Sequence, residues 1–140
     1  MFKKLLVAYD GSEGATRALH AGIGLAQAFG VDLHLVTVEE ELPRYAATLD
    51  EVEAVREQKE AYFGRLHNEA TAVAEKEGVR LHCAIVAGHE VEAIRDHILL
   101  HGFDLLLVGF HGHSAIMERL RGSTTGSLVL CAPCTVMVVK

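Results

Sequence analysis

The chain has 140 residues, a length typical of one domain with a substantial core. Half of the residues are hydrophobic, yet no apolar run reaches the roughly 18 residues that span a bilayer. The net charge is −6 and the basic residues are scattered, whereas binding a phosphate backbone requires a basic face. We therefore predict a single domain over 1–140, with no membrane insertion and no nucleic-acid partner.

The first third of the chain predicts two strands and the helix between them. The segment Met1–Val7 looks at first like the start of a signal peptide, but the turn Asp10–Ser12 interrupts it, so we interpret Lys3–Tyr9 as strand one of a cytoplasmic protein. Ser12 is predicted to cap a helix that ends at Gly30. Leu33–Val38 is predicted as strand two.

The rest of the chain continues the alternation of helix and strand. Thr48 and Glu51 predict a capping box, which begins a long helix with a core face from Val52 to Ala74 and an end at Gly78. The remaining predicted elements are strand three at Val79–Val86, a helix at Val91–His101, strand four at Asp104–Val108, a helix at Ser123–Cys131 and strand five at Thr135–Val139.

Strict alternation of strands and helices predicts an α/β fold with a doubly wound parallel sheet, because right-handed crossovers place helices on both faces. We predict five strands in the order 3-2-1-4-5. Ligands of such sheets bind outside the carboxyl ends of the strands, where the strand order reverses. This position would bring Asp10, which follows strand one, beside the loop that follows strand four.

A glycine-rich loop follows strand four and leads into the last helix. Such a loop suits a phosphate, because its backbone can approach the anion and the free N–H groups of the helix start can donate to it. The lysine of a P-loop is missing before Ser123, so the pattern predicts nucleotide binding without P-loop chemistry. The pattern consists of Gly109, Gly112, Gly122, Ser123, Thr124 and Thr125, with nine residues between the second and third glycines.

The glycine spacing resembles the ATP-binding signature of the universal stress proteins. The opening Leu5–Ser12 and the ending Cys131–Val139 are also similar to that family, so the resemblance covers the whole chain. It implies a stress-response or signalling module that binds ATP, with Mg²⁺ as the counter-ion of the nucleotide. It also implies a homodimer joined through strand five, Thr135–Val139, an apolar strand that we expect at the sheet edge.

The resemblance also implies a role for each position that matches the family pattern. The positions that would hold the adenine and ribose are Ala8, Asp10 and Val38. Those that would line the ribose and phosphates are Gly109, Gly112 and His113. Those that would bind the phosphate tail are Gly122, Ser123, Thr124 and Thr125.

Alternative interpretations stay open at this point. Asp10 could form the turn before the first helix instead of, or as well as, contacting a ligand. The glycines could be tight turns without a ligand, which would make the protein a nucleotide-free dimeric scaffold, and the pocket could take AMP or cyclic AMP. Because no convincing catalytic set is present, we expect binding with at most slow ATP hydrolysis.

Two further features have open roles. Arg121 directly precedes Gly122 and could reach the terminal phosphate, reach a partner subunit or lie in solvent. Cys131 and Cys134 have the spacing of a redox motif, but the pair follows a helix, whereas a redox pair opens one. We therefore expect reduced, partly buried thiols.

Overall fold

The computed structural model describes residues 1–40, 48–110 and 124–140. The predicted alternation is confirmed there, and element ends differ from the prediction by at most two residues. Among the described residues, no helix has the length and apolar character needed to cross a membrane. The elements are β1 (Leu5–Ala8), α1 (Glu13–Phe29), β2 (Leu33–Glu39), α2 (Leu49–Lys76), β3 (Leu81–Ala87), α3 (Glu90–His101), β4 (Leu105–Gly109), α4 (Thr124–Cys131) and β5 (Thr135–Val139).

The five strands form one parallel sheet in the order β3-β2-β1-β4-β5, which confirms the prediction. β1 is central: Leu5 lies opposite Leu33 of β2 on one side and Leu105 of β4 on the other. The strand order therefore reverses between β1 and β4. At that point the two connections leave toward opposite faces, which opens a crevice at the carboxyl ends of the strands.

Helices cover both faces of the sheet, which explains why β1 and β4 are apolar along almost their whole length. Leu5 and Val7 pack on one face against α1 and the end of α2. Leu6 and Leu106 pack on the other face, against α3 and α4. The starts of α1, α3 and α4 then lie at the same edge of the sheet as the crevice.

The long helix α2 departs from its predicted core face. Only Ala70 and Ala74 are buried in it, and Val55 is 38% exposed. A helix of 28 residues is about 42 Å long, whereas the strands of seven residues beside it span only about 23 Å. The sheet is thus too short to cover the first half of the helix.

The predicted helix caps are confirmed. The Ser12 hydroxyl accepts the backbone N–H of Ala15 (3.2 Å), and Gly30 ends α1 in the left-handed conformation. Thr48 and Glu51 form a reciprocal capping box at the start of α2. These local contacts fix where α1 and α2 begin.

Candidate functional site

A cavity of about 180 Å³ opens at the carboxyl ends of β1 and β4. Asp10 and Gly109 both line it, so the two strand ends meet there as the switch-point argument predicts. The predicted positions that line it are Ala8, Asp10, Gly109, Thr124 and Thr125.

The remaining predicted positions do not join this group within the described residues. Val38 lies on β2, on the far side of β1 from the cavity, and packs toward α3 beside Val36. Its predicted contact with adenine stays a prediction. The predicted positions outside the described residues are Gly112, His113, Gly122 and Ser123, and Arg121 lies there as well.

Asp10 forms the turn that was one of the two roles the sequence left open for it, and its contact with a ligand stays a prediction. Its Oδ1 accepts the backbone N–H of Ser12 (2.9 Å), which closes the turn between β1 and α1. Gly11 in that turn has φ +82°, a conformation that glycine adopts without strain. The Asp10 side chain is nevertheless exposed at the cavity, so the turn interaction does not remove it from the candidate site.

Gly109 has a packing role that sequence reasoning missed. A Cβ at this position would lie 2.7 Å from the nitrogen of Ala15 and closer still to the carbonyl group of Gly14. The end of β4 therefore touches the backbone of the first turn of α1. A glycine is required here by packing alone, whatever the cavity binds.

The two hydroxyls predicted as phosphate donors already have acceptors. Thr124 Oγ1 donates to Glu90 Oε2 (3.1 Å), and Thr125 Oγ1 donates to the carbonyl oxygen of Gly109 (3.0 Å). A phosphate that uses either hydroxyl must replace one of these acceptors. The Thr125 bond also ties the start of α4 to the end of β4.

Glu90 is a cavity residue that the sequence did not single out. It is the first residue of α3, and its carboxyl group lines the same cavity as Asp10. Burial raises the pKa of Glu90, the hydrogen bond from Thr124 lowers it, and the carboxylates of Asp10 and Glu40 raise it further. An acidic residue that opens a helix at the carboxyl edge of the sheet was the available signal for this position.

The floor of the cavity beside β1 is held by a hydrogen-bond chain from α2. The Thr37 hydroxyl donates to the carbonyl oxygen of Tyr9 (2.8 Å). Because that hydroxyl has one proton, its oxygen must accept from Nε2–H of His67 (2.8 Å). Burial lowers the pKa of His67 and so favours its neutral ring, in which the proton lies on Nε2. Thr37 is 2% exposed, and it fixes the Tyr9 backbone directly before Asp10.

The three cysteines of the chain lie among the described residues and are free. Cys131 ends α4, and Cys134 precedes β5. Burial raises the pKa of the Cys134 thiol, so its surroundings do not activate the thiolate that redox chemistry requires.

Comparison with known proteins matches residues 1–140 to the model of the universal stress protein family. The chain belongs to the universal stress protein family. One relative within it is a universal stress protein of Thermus aquaticus, encoded in the 3' region of a QAH/OAS sulfhydrylase. It is 33% identical over 141 residues, and the alignment covers 100% of both chains.

Solved universal stress proteins share the fold. UspA from Lactobacillus plantarum has a TM-score of 0.83 and 24% identity, covering 99% of this chain and 98% of its own. A universal stress protein crystallised in complex with cAMP has a TM-score of 0.76 and 24% identity, covering 99% and 97%. The doubly wound sheet is therefore the common architecture of the three proteins.

Proposed function

We propose that this universal stress protein binds ATP in the cavity between β1 and β4. The observation that carries the proposal is the convergence of Asp10, Gly109 and Thr124 at the switch point of a parallel sheet, where ligands of such folds bind. The glycine spacing of the family signature adds the expected phosphate loop. Binding, with at most slow hydrolysis, would serve a stress-response or signalling role.

Mg²⁺ would accompany ATP as the counter-ion of its phosphates. The cavity offers oxygen donors, the carboxylate of Asp10 and the hydroxyl of Thr124, which suit this hard cation. Within the described ranges, no group of three His, Cys, Asp or Glu residues could hold a metal by itself. The nucleotide phosphates would therefore supply most of the ligands of the bound ion.

A nucleotide with one phosphate, AMP or cyclic AMP, is the second candidate. The bonds that Thr124 and Thr125 already make favour it, because a single phosphate needs fewer donors than a triphosphate. A universal stress protein with the same fold was crystallised in complex with cAMP, which supports this candidate.

Calorimetric titration with ATP, ADP, AMP and cyclic AMP, with and without Mg²⁺, tests the proposal. We expect binding in the micromolar range, about −8 kcal/mol, and its loss in Gly122→Val. Gly24→Val is the matched control, because Gly24 lies on the exposed face of α1 with no atom near its missing Cβ. Absence of heat with every nucleotide would leave the nucleotide-free scaffold as the function.

The homodimer through β5 forms the second half of the proposal. β5 is an edge strand of the sheet, so one side of its backbone has no strand partner among the described residues. The strand also carries an exposed apolar side chain, Met137. Pairing with a second copy would satisfy the edge and cover this side chain.

A further inference from the structure

Glu90 sits where a nucleotide phosphate is expected. Its carboxyl group accepts the hydroxyl proton of Thr124, and Thr124 is the first described residue of α4. A hydroxyl has one proton to donate, so a phosphate oxygen that accepts from Thr124 takes the place of the Glu90 carboxylate oxygen. Within the cavity, Glu90 therefore occupies the position of an internal anionic ligand.

The surroundings add to the negative charge at this point. Asp10 lines the same cavity, and the carboxylates of Asp10 and Glu40 are close enough to disfavour the charged form of Glu90. A nucleotide phosphate that approaches Thr124 must both displace the Glu90 carboxylate and lie beside it. The resulting repulsion grows with the number of uncompensated phosphate charges.

We infer that Glu90 is a charge-selectivity residue, which competes with the nucleotide phosphates for Thr124 and so excludes metal-free ATP far more strongly than cyclic AMP. The inference rests on the proposed nucleotide site and specifies how that site is regulated. ATP becomes an acceptable ligand when Mg²⁺ masks its charge. Cyclic AMP carries a single charge and binds with little dependence on Mg²⁺.

The test compares wild type, Glu90→Gln and Glu92→Gln by calorimetric titration with ATP and with cyclic AMP, each with Mg²⁺ and with EDTA. Glu92 is the matched control, because it belongs to the same first turn of α3 but is exposed and does not line the cavity. Both substitutions remove one negative charge near the same helix start. A general charge effect would therefore appear equally in the two variants.

We expect Glu90→Gln to raise the affinity for metal-free ATP by about tenfold and the affinity for cyclic AMP by about twofold or less. Mg²⁺ should raise ATP affinity by about tenfold in wild type and by about twofold or less in Glu90→Gln. Glu92→Gln should behave as wild type. Glu90→Gln should also lower the melting temperature slightly, because an amide oxygen accepts the Thr124 hydroxyl proton less strongly than a carboxylate does, whereas a purely structural residue would not improve ligand binding when removed.

Equal gains in Glu90→Gln and Glu92→Gln, or equal gains for ATP and cyclic AMP, would overturn the inference while nucleotide binding stands. Absence of binding in all three proteins, with Mg²⁺ present, would overturn the proposed function and this inference together. Glu90→Asp is the second variant if Glu90→Gln does not fold. It keeps the charge but withdraws the carboxylate from Thr124 by one methylene, so an intermediate gain for metal-free ATP is expected.

Discussion

Gly109 and Gly14 face each other where the end of β4 meets the start of α1. Their backbones are too close for a side chain at Gly109, which would contact the Gly14 carbonyl group. Gly109, the first glycine of the predicted phosphate loop, is therefore also required for packing. A substitution at this position cannot report on ligand binding unless stability is measured as well.

We expect Gly109→Ala to lower the free energy of unfolding by about 2–3 kcal/mol without any nucleotide present, because a methyl group would push two backbone segments apart. Gly24→Ala is the control, since its Cβ meets no atom within 4 Å, and it should stabilise α1 by about 0.5–1 kcal/mol. Urea unfolding of the three proteins measures both effects. A Gly109→Ala protein as stable as wild type would show that the backbones separate easily.

The contact between Glu90 and Thr124 likewise joins residues that are distant in sequence, with a separation of 34 positions. The Thr124 hydroxyl, which is predicted to donate to a phosphate, therefore already has an acceptor. The consequence for ligand choice depends on these two side chains and not on the glycine spacing. Members of the family with the same glycines but a different residue at this position would then differ in their preference for ATP.

The packing of α3 on β2 and β3 depends on imidazole rings. His34 and His82 lie opposite each other in register on the two strands, with ring centroids 4.7 Å apart. The edge of the His34 ring meets Phe103 at 5.0 Å. His97 and His101, one turn apart at the end of α3, complete the cluster around Phe103.

Burial and nearby charge oppose protonation of His34 and His97. Burial, followed by the nearby His82 and Lys4, lowers the pKa of His34 to about 4, although Asp32 acts in the opposite direction and His101 adds to the lowering. Burial also lowers the pKa of His97, with smaller contributions from His101 and Lys4. The lowered pKa values of His34 and His97 favour the neutral form of these two rings.

We expect the free energy of unfolding to fall as the pH drops from about 6.5 toward about 4, because the unfolded chain then binds a proton that folded His34 refuses. Since His34 is only half-buried, solvent screening reduces the effect to about 1 kcal/mol between pH 7 and pH 5. His34→Gln should remove this part of the pH dependence. Urea unfolding at the two pH values measures it.

His20→Gln is the control for that experiment, because His20 is exposed on α1. It should leave the pH dependence of wild type unchanged. The same slope in wild type and His34→Gln would contradict the assignment of the acid sensitivity to this cluster.

The two edges of the sheet differ in what surrounds them. β5 forms one edge and β3 the other, and each has an exposed apolar side chain, Met137 at 37% and Ile85 at 44%. The Met137 side chain lies on the α1 face of the sheet, because its register partner Leu107 packs there, whereas Val136 and Val138 face α4. The proposed dimer would pair the β5 edge and cover Met137.

We expect light scattering after gel filtration to give twice the chain mass for wild type and the chain mass for Met137→Lys, because a charge on the paired edge would be buried without a partner. Ile85→Lys makes the same change on the opposite edge strand and should remain a dimer. A monomeric wild type would contradict the proposed dimer. Dissociation by Ile85→Lys but not by Met137→Lys would place the interface at β3 instead.

The sequence by itself determined the elements, the order of the strands and the family. These features depend on signals that are local in the chain, such as the apolar run of β1, the Ser12 cap, the left-handed Gly30 and the box of Thr48 and Glu51. Parallel order then follows from alternation and from the hand of each crossover. Because this strand order places β1 beside β4, the sequence also predicted that Asp10 and Gly109 would line the same cavity.

Only the tertiary structure decided which side chains share the cavity and what they already hold. The pair Glu90 and Thr124, the backbone contact of Gly109 with Gly14 and the chain from His67 through Thr37 each join elements far apart in sequence. No local periodicity or motif encodes such contacts, because they arise when separate helices dock on one sheet edge. The sequence predicted where the cavity lies, whereas the packing of α1, α3 and α4 at the sheet edge brought Asp10, Glu90 and Thr124 together in it.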